Sequence, residues 1–230
     1  MKKKIAILGS TGSIGKNLIN ILSIDKKNFE IILLTAQKNY LDLSKQAKLF
    51  KVKNLIITNT KSYLKLKRIK FSHKINIFKD YNSFKKIFKN KIDYTMSSIS
   101  GIEGLYPTIN IIKHTKLIAI ANKEAIICGW NILKKELKKN STSFVPVDSE
   151  HFSIHYALNN NLTSNVENIY LTASGGPLRK LAFTKFKNVK VSDVVKHPNW
   201  PMGKKISIDS ATMMNKVFEI IEAKKIFNLS

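Results

Sequence analysis

The feature that most constrains the fold is an alternation running from residue 3 to residue 147. Short β-branched and apolar runs at 3–8, 29–35, 54–58, 75–78, 93–97 and 117–121 read as strands. Between them lie 14–22, 41–50, 83–88 and 105–112, where apolar residues recur every three or four positions and predict helices. A rhythm of this kind packs helices against a parallel sheet, so it predicts an α/β fold with a doubly wound, Rossmann-like arrangement. A longer helix is expected over 124–139, its lysine-rich end matched to the negative C-terminal pole. One more strand, 143–147, then delivers Asp148.

After Asp148 the pattern changes, which places a domain boundary there and divides the chain into 1–148 and 149–230. The second part reads as α+β: a helix over 152–158, a strand at 168–172, a Gly175-Gly176-Pro177 turn, an irregular loop through His197–Gly203 and a last helix over 211–227. Ser210 is read as the N-cap of that helix, and Met213 and Met214 as core residues.

With 230 residues, 43% of them apolar, the chain can bury a substantial core. Its formal charge of +25 raises the question of a polyanionic partner. The basic residues are almost all lysines spread along the chain, with Arg68 and Arg179 the two arginines. Base-reading proteins rely on arginine forks and aromatic platforms, so the charge reads as solvated faces and no nucleic-acid partner is expected. A single cysteine, Cys128, excludes an internal disulfide and a cysteine-based zinc cluster, and its apolar neighbours suggest a small core residue. No apolar run approaches the roughly 20 residues of a membrane span, and the N-terminus has no signal-like segment. A cytoplasmic location without membrane association is expected.

Gly9-Ser-Thr-Gly12-Ser-Ile-Gly15 sits between the first strand and the first helix, where glycines allow a sharp turn and free N–H groups can face a diphosphate. At the end of the second strand, where a carboxylate would take a ribose 2′-hydroxyl, the chain reads Gln37-Lys38-Asn39. A cation without a carboxylate favours a 2′-phosphorylated dinucleotide. A glycine pattern by itself is also compatible with a plain strand-to-helix turn.

Asp148 and Glu150 lie two apart. In an extended segment leaving a strand both would point the same way and could reach one divalent cation that takes oxygen ligands. Such a pair is equally at home on a surface or at a helix cap. Glu219 in the last helix could supply a third carboxylate, while Ser174, Ser210, Asn215 and Lys216 offer hydroxyl, amide and ammonium donors suited to a phosphate. His197-Pro-Asn-Trp200-Pro-Met-Gly203 could close over a ligand, with Trp200 as an apolar lid, or could be a static loop. His151 and His155, four apart, are assigned to a helix face because no H-E-x-x-H pattern accompanies them.

Taken together, the Gly9 to Gly15 loop, Ala121-Asn-Lys-Glu124, Pro146-Val-Asp-Ser-Glu-His151, Ser174-Gly-Gly-Pro177, His197-Pro-Asn-Trp200 and Asp209-Ser-Ala-Thr-Met-Met-Asn-Lys216 resemble the 1-deoxy-D-xylulose 5-phosphate reductoisomerase family in order and spacing. The resemblance implies NADPH-dependent conversion of 1-deoxy-D-xylulose 5-phosphate to 2-C-methyl-D-erythritol 4-phosphate in the non-mevalonate isoprenoid pathway, with Mn²⁺, Mg²⁺ or Co²⁺. It implies Asp148, Glu150 and Glu219 as metal ligands, and Lys123, Glu150 and His197 as catalytic residues. Lys123, Ser149, Glu150, Ser174, His197, Trp200, Ser210, Asn215, Lys216 and Glu219 would bind the small phosphorylated sugar. Thr11, Gly12, Ser13, Ile14, Gln37, Lys38, Asn39, Asn122, Glu124 and Gly203 would line the cofactor.

Three positions depart from the family pattern: Gln37 where glycine is usual, Pro201 where serine is common and Val217 where glycine is usual. The chain ends at Ser230, whereas family members continue with the rest of the catalytic domain, including its dimer-forming sheet, and a helical domain. A partial catalytic domain is therefore expected, with a catalytically impaired remnant that binds NADPH as the alternative reading and the family's homodimer in doubt.

Overall fold

A computed structural model of the chain describes residues 1–158, 166–195 and 204–229. It divides into two compact units, Met1–Asp148 and Ser149–Ser230.

In the first unit seven strands form one sheet: β1 (Lys3–Leu8), β2 (Phe29–Ala36), β3 (Asn54–Ile57), β4 (Asn76–Phe78), β5 (Ile92–Ser97), β6 (Thr115–Ile120) and β7 (Ser143–Pro146). Their order is β4-β3-β2-β1-β5-β6-β7 and every pairing is parallel. Helices α1 (Ser13–Ile24), α2 (Tyr40–Phe50), α3 (Thr60–Lys67), α4 (Phe84–Ile87), α5 (Leu105–Ile112) and α6 (Lys123–Lys139) connect them. This is the α/β architecture with a doubly wound parallel sheet. The centre of the sheet is buried on both faces, which explains why β1 and β2 read as nearly unbroken apolar runs: Ala6, Ile7, Leu8, Leu33 and Leu34 are all fully buried. Strand order reverses on either side of β1, so the crevice outside the carboxyl ends of β1 and β5 is the place where such sheets bind ligands.

The glycine loop is tied down at that crevice. Gly9 N–H donates to Thr35 Oγ1 at 3.0 Å, Ser10 N–H to the Thr35 carbonyl at 2.9 Å, and Gln46 Nε2 to the Ser10 carbonyl at 2.9 Å. Gly9 has φ +81°, and a Cβ on Gly15 would lie 2.4 Å from the Gly9 carbonyl oxygen. Both positions therefore need glycine, one for its dihedral and one for close approach.

Asn122 pins the β5 side. Its Oδ1 caps α6 through the Ala125 N–H at 2.8 Å, and its Nδ2 donates to the carbonyls of Ile99 and Gly101. Trp130 on α6 meets Phe144 on β7 edge-on, with ring centroids 5.4 Å apart, which anchors the strand that carries the chain to Asp148. Cys128 is exposed, contrary to the core position expected of it: the buried stripe of α6 is Ala125, Ile126, Gly129, Trp130, Leu133 and Leu137, and Cys128 falls outside it.

The α-helices among the described residues of the second unit are α7 (Ser149–Leu158), α8 (Val191–Val194), α9 (Lys204–Ala211) and α10 (Met214–Phe227), with 166–182 irregular. The strand expected at 168–172 is not formed. A strand needs a neighbour to complete its ladder, and no described segment of this unit provides one. The single last helix expected over 211–227 is instead two helices, broken where Met213 adopts a left-handed conformation, φ +61°. Ser210 is accordingly near the end of α9 and not an N-cap, and Met213 and Met214 are exposed at the corner instead of buried. The loop expected over 197–203 lies outside the described residues.

Gly15→Ala should destabilise the first unit by about 1–3 kcal/mol, because its methyl must displace backbone atoms. Gly12→Ala, whose Cβ meets nothing closer than 3.4 Å at φ −75°, should be close to neutral. Urea denaturation of the two variants checks this; equal losses would contradict it.

Candidate functional site

In the first unit the loop from Gly9 leads into α1, whose N-cap, Gly12, offers no side chain to its first-turn N–H groups. A twelve-residue helix opening without a side-chain cap, beside a loop in which a Cβ would collide, suits a diphosphate. Thr11, Gly12, Ser13 and Ile14 are all at least partly exposed along this loop. At the end of β2, Gln37, Lys38 and Asn39 are exposed. Asn39 is engaged locally: it caps α2 through the Asp42 N–H at 3.1 Å and donates to the Asp42 carboxylate at 2.9 Å. Lys16 closes on Asp42 at 2.7 Å and holds that carboxyl below its usual range. Asn122 is buried as the clamp described above, with Glu124 partly buried in the first turn of α6. Lys123, the first residue of α6, reaches Asp148 after β7 at 3.1 Å, both largely buried.

In the second unit the sequence expectation of an extended Asp148-Ser-Glu150 segment does not hold. The strand ends at Pro146 and Ser149 opens α7, so Glu150 stands in the first turn of a helix, where the positive pole favours a carboxylate. Ser149 Oγ donates to Glu150 Oε2 at 2.6 Å. From α10, Glu219 presents a carboxylate oxygen within 4.8 Å of one on Glu150.

Two carboxylates that close repel by roughly 3 kcal/mol at an effective dielectric of about 20. Lys216 offsets this: its ammonium lies 3.2 Å from Glu150 Oε1 and also contacts Glu219 Oε2. Asn215 Nδ2 donates to Glu219 Oε1. Burial would lower the Lys216 pKa, but the hydrogen bonds and charges of Glu219 and Glu150 outweigh it and hold the ammonium above the usual lysine value. Asn215 and Lys216, expected among phosphate donors, thus face carboxylates in this structure.

His151, expected on an ordinary helix face, is completely buried. Its Nε2 is 2.8 Å from the Glu219 carbonyl and its Nδ1 3.4 Å from Glu222 Oε2, while its ring lies 6.5 Å from that of Phe227. It therefore locks α7 to α10 at the level of Glu150 and Glu219. The sequence signal was available in the Asn215, Glu219, Glu222 spacing of four and three, which puts Glu222 on the same face.

A second cluster joins Ser174 and Ser210, whose hydroxyl oxygens are 3.5 Å apart. Gly176 makes this approach possible: with φ +66°, its Cβ would sit 2.5 Å from the Ser210 carbonyl oxygen. Its N–H donates to Ser174 Oγ at 3.2 Å. His197, Trp200 and Gly203 lie outside the described residues.

The model of 1-deoxy-D-xylulose 5-phosphate reductoisomerase matches residues 5–129, and that of its C-terminal domain matches 144–227. The chain belongs to the 1-deoxy-D-xylulose 5-phosphate reductoisomerase family. It is 63% identical over 230 residues to the reductoisomerase of Pelagibacter ubique and 42% identical over 229 residues to that of Wolbachia pipientis, covering 99% of this chain and 59% and 58% of theirs. It thus spans somewhat under two thirds of the relatives it matches. Among solved structures it is similar to the reductoisomerase of Zymomonas mobilis in complex with NADPH, at TM-score 0.90 and 32% identity over all of this chain and 59% of that one. It is also similar to a reductoisomerase in complex with NADPH, fosmidomycin and magnesium, at TM-score 0.88 and 31% identity over 99% and 59%.

Replacing His151 with alanine removes a fully buried ring between α7 and α10 and should cost about 3 kcal/mol, whereas His155→Ala, at a partly exposed position, should cost little. Denaturant midpoints of the two variants check this. The raised Lys216 pKa fixes a second outcome. The stability its pairs contribute is complete below the ordinary lysine value of 10.5 and is lost as pH rises past the higher folded value. The melting-temperature difference between wild type and Lys216→Met should therefore stay constant up to about pH 10.5 and shrink above it.

Proposed function

We propose that this chain carries the nucleotide-binding and metal-binding parts of an NADPH-dependent reductoisomerase that converts 1-deoxy-D-xylulose 5-phosphate to 2-C-methyl-D-erythritol 4-phosphate. The observation that carries the reading is the convergence of Glu150 and Glu219 on one ammonium. Two carboxylates held together by a cation are the donor chemistry that a hard divalent ion requires, and Lys216 stands in for its charge. Family membership and relatives whose structures contain NADPH and magnesium point the same way.

On this reading residues 1–148 bind NADPH and 149–230 hold metal and substrate. Asp148, Glu150 and Glu219 hold Mn²⁺, Mg²⁺ or Co²⁺, which when bound acts as a Lewis acid on the substrate's oxygens. NADPH, which supplies the hydride, is held by Thr11, Gly12, Ser13 and Ile14 at its diphosphate, by Gln37, Lys38 and Asn39 at its adenosine end, and by Asn122, Glu124 and Gly203.

Lys123, oriented by Asp148, and Ser149 and Glu150 contact the reacting end of the sugar. The Lys123 ammonium stabilises negative charge that develops on a substrate oxygen. Ser174 and Ser210 donate to the phosphate, and Gly176 holds them together. Asn215 and Lys216 complete the phosphate grip once the carboxylates bind the ion. His197 and Trp200 are assigned to the sugar-binding set. The occupant is thus a small phosphorylated sugar, in a cytoplasmic protein without nucleic-acid or membrane partners; the family's homodimer is in doubt for this chain. Among the described residues no helix is long and apolar enough to cross a membrane.

The test is substrate-dependent oxidation of NADPH in the presence of Mn²⁺. Glu219→Gln should lower turnover by roughly 100-fold or more while leaving NADPH affinity within about twofold, since only an ion ligand is lost. Full activity in that variant would show that Glu219 is not a ligand. NADPH binding without any turnover by the wild-type chain would refute the catalytic reading while sparing the nucleotide site.

A further inference from the structure

In a doubly wound sheet the carboxyl end of the second strand reads the ribose 2′ position of a dinucleotide: a carboxylate there favours the free hydroxyl, a cation the 2′-phosphate. The segment after β2 contains Gln37, Lys38 and Asn39 and no acid. The structure nevertheless brings a carboxylate to it. Glu103, in the short turn that precedes α5, accepts a hydrogen bond from Gln37 Nε2 at 3.2 Å.

This approach is built on a fixed backbone. Asn122 holds the carbonyls of Ile99 and Gly101 just before Glu103, and a Cβ on Gly104 just after it would lie 2.3 Å from the Asn122 amide nitrogen. The phenol of Tyr81 is a second witness. Burial raises its pKa first, a hydrogen bond with Thr35 on β2 opposes this, and the negative charge of Glu103 raises it further. The charge of Glu103 is thus felt at the buried Tyr81 phenol.

We propose that Glu103, positioned by Gln37, is a specificity residue for the nucleotide: it sets a carboxylate against Gln37, the residue before Lys38, at the 2′-reading end of β2 and narrows the preference for NADPH over NADH. The proposal rests on the nucleotide-binding reading above. Lys38 attracts a 2′-phosphate, and Glu103 repels the phosphate while remaining able to accept from a 2′-hydroxyl. Both side chains are exposed, so the effect is modest and screened by salt.

The experiment is fluorescence titration of the whole chain with NADPH and with NADH at low ionic strength, for wild type, Glu103→Gln, Glu103→Ala and Gln37→Ala. Both Glu103 variants should raise the ratio of the NADH to the NADPH dissociation constant by roughly three- to fivefold, the effect of removing one exposed charge. Gln37→Ala, which releases the carboxylate without removing it, should shift the ratio the same way by less. A ratio unchanged in both Glu103 variants, with NADPH still bound, overturns the proposal. Failure of the wild-type chain to bind either nucleotide overturns the nucleotide-binding reading itself, and this inference with it.

Discussion

Two like charges facing each other across a helix pair need a cation between them, and the described part of the second unit is organised around that need. Glu150 comes from the first turn of α7 and Glu219 from the middle of α10, and Lys216 reaches back across 66 positions of sequence to Glu150 while also pairing with Glu219. Few apolar side chains among the described residues of that unit are fully buried. Its most buried positions include His151, Ser207, Glu219 and Glu222, so polar contacts and not a hydrophobic core set the geometry. Buried polar groups are costly unless satisfied, which makes such an arrangement specific and also sensitive to single substitutions.

The first unit solves the opposite problem. Its parallel sheet is held by an apolar core, and the polar contacts that bear on the glycine loop gather at the carboxyl ends of the strands. There Thr35 holds Gly9 and Ser10, Gln46 holds Ser10, and Asn122 holds the turn before α5. The scaffold thus fixes a loop whose peptide groups can face an anion without flexible side chains, an arrangement that limits the reorganisation binding requires.

Much of this was legible in the sequence wherever one physical constraint dominated. The strands announced themselves because burial on both faces demands continuous apolar runs, and the glycine loop because Gly9 and Gly15 stand where any side chain would collide. Helix α3 was missed since its sequence, Thr-Lys-Ser-Tyr-Leu-Lys-Leu-Lys, buries little beyond Ser62 and Leu66. The break at Met213 was illegible because methionine rarely adopts the left-handed conformation it takes there, so residue type gives no sign of it. A strand at 168–172 was read from its β-branched residues, but propensity without a partner makes no ladder. His151 was assigned simply to a helix face because an isolated i, i+4 histidine pair says nothing of the helix packed against it, and Glu103 escaped notice because its partner Gln37 lies 66 positions away in sequence.

The central claim, that Lys216 occupies the place of a divalent cation between Glu150 and Glu219, is tested most directly by anomalous diffraction from crystals of this chain grown with Mn²⁺. One strong manganese peak bonded to both Glu150 and Glu219 is expected, with the Lys216 ammonium displaced from both glutamates. Manganese bound elsewhere, with Lys216 still seated between the two carboxylates, would contradict it.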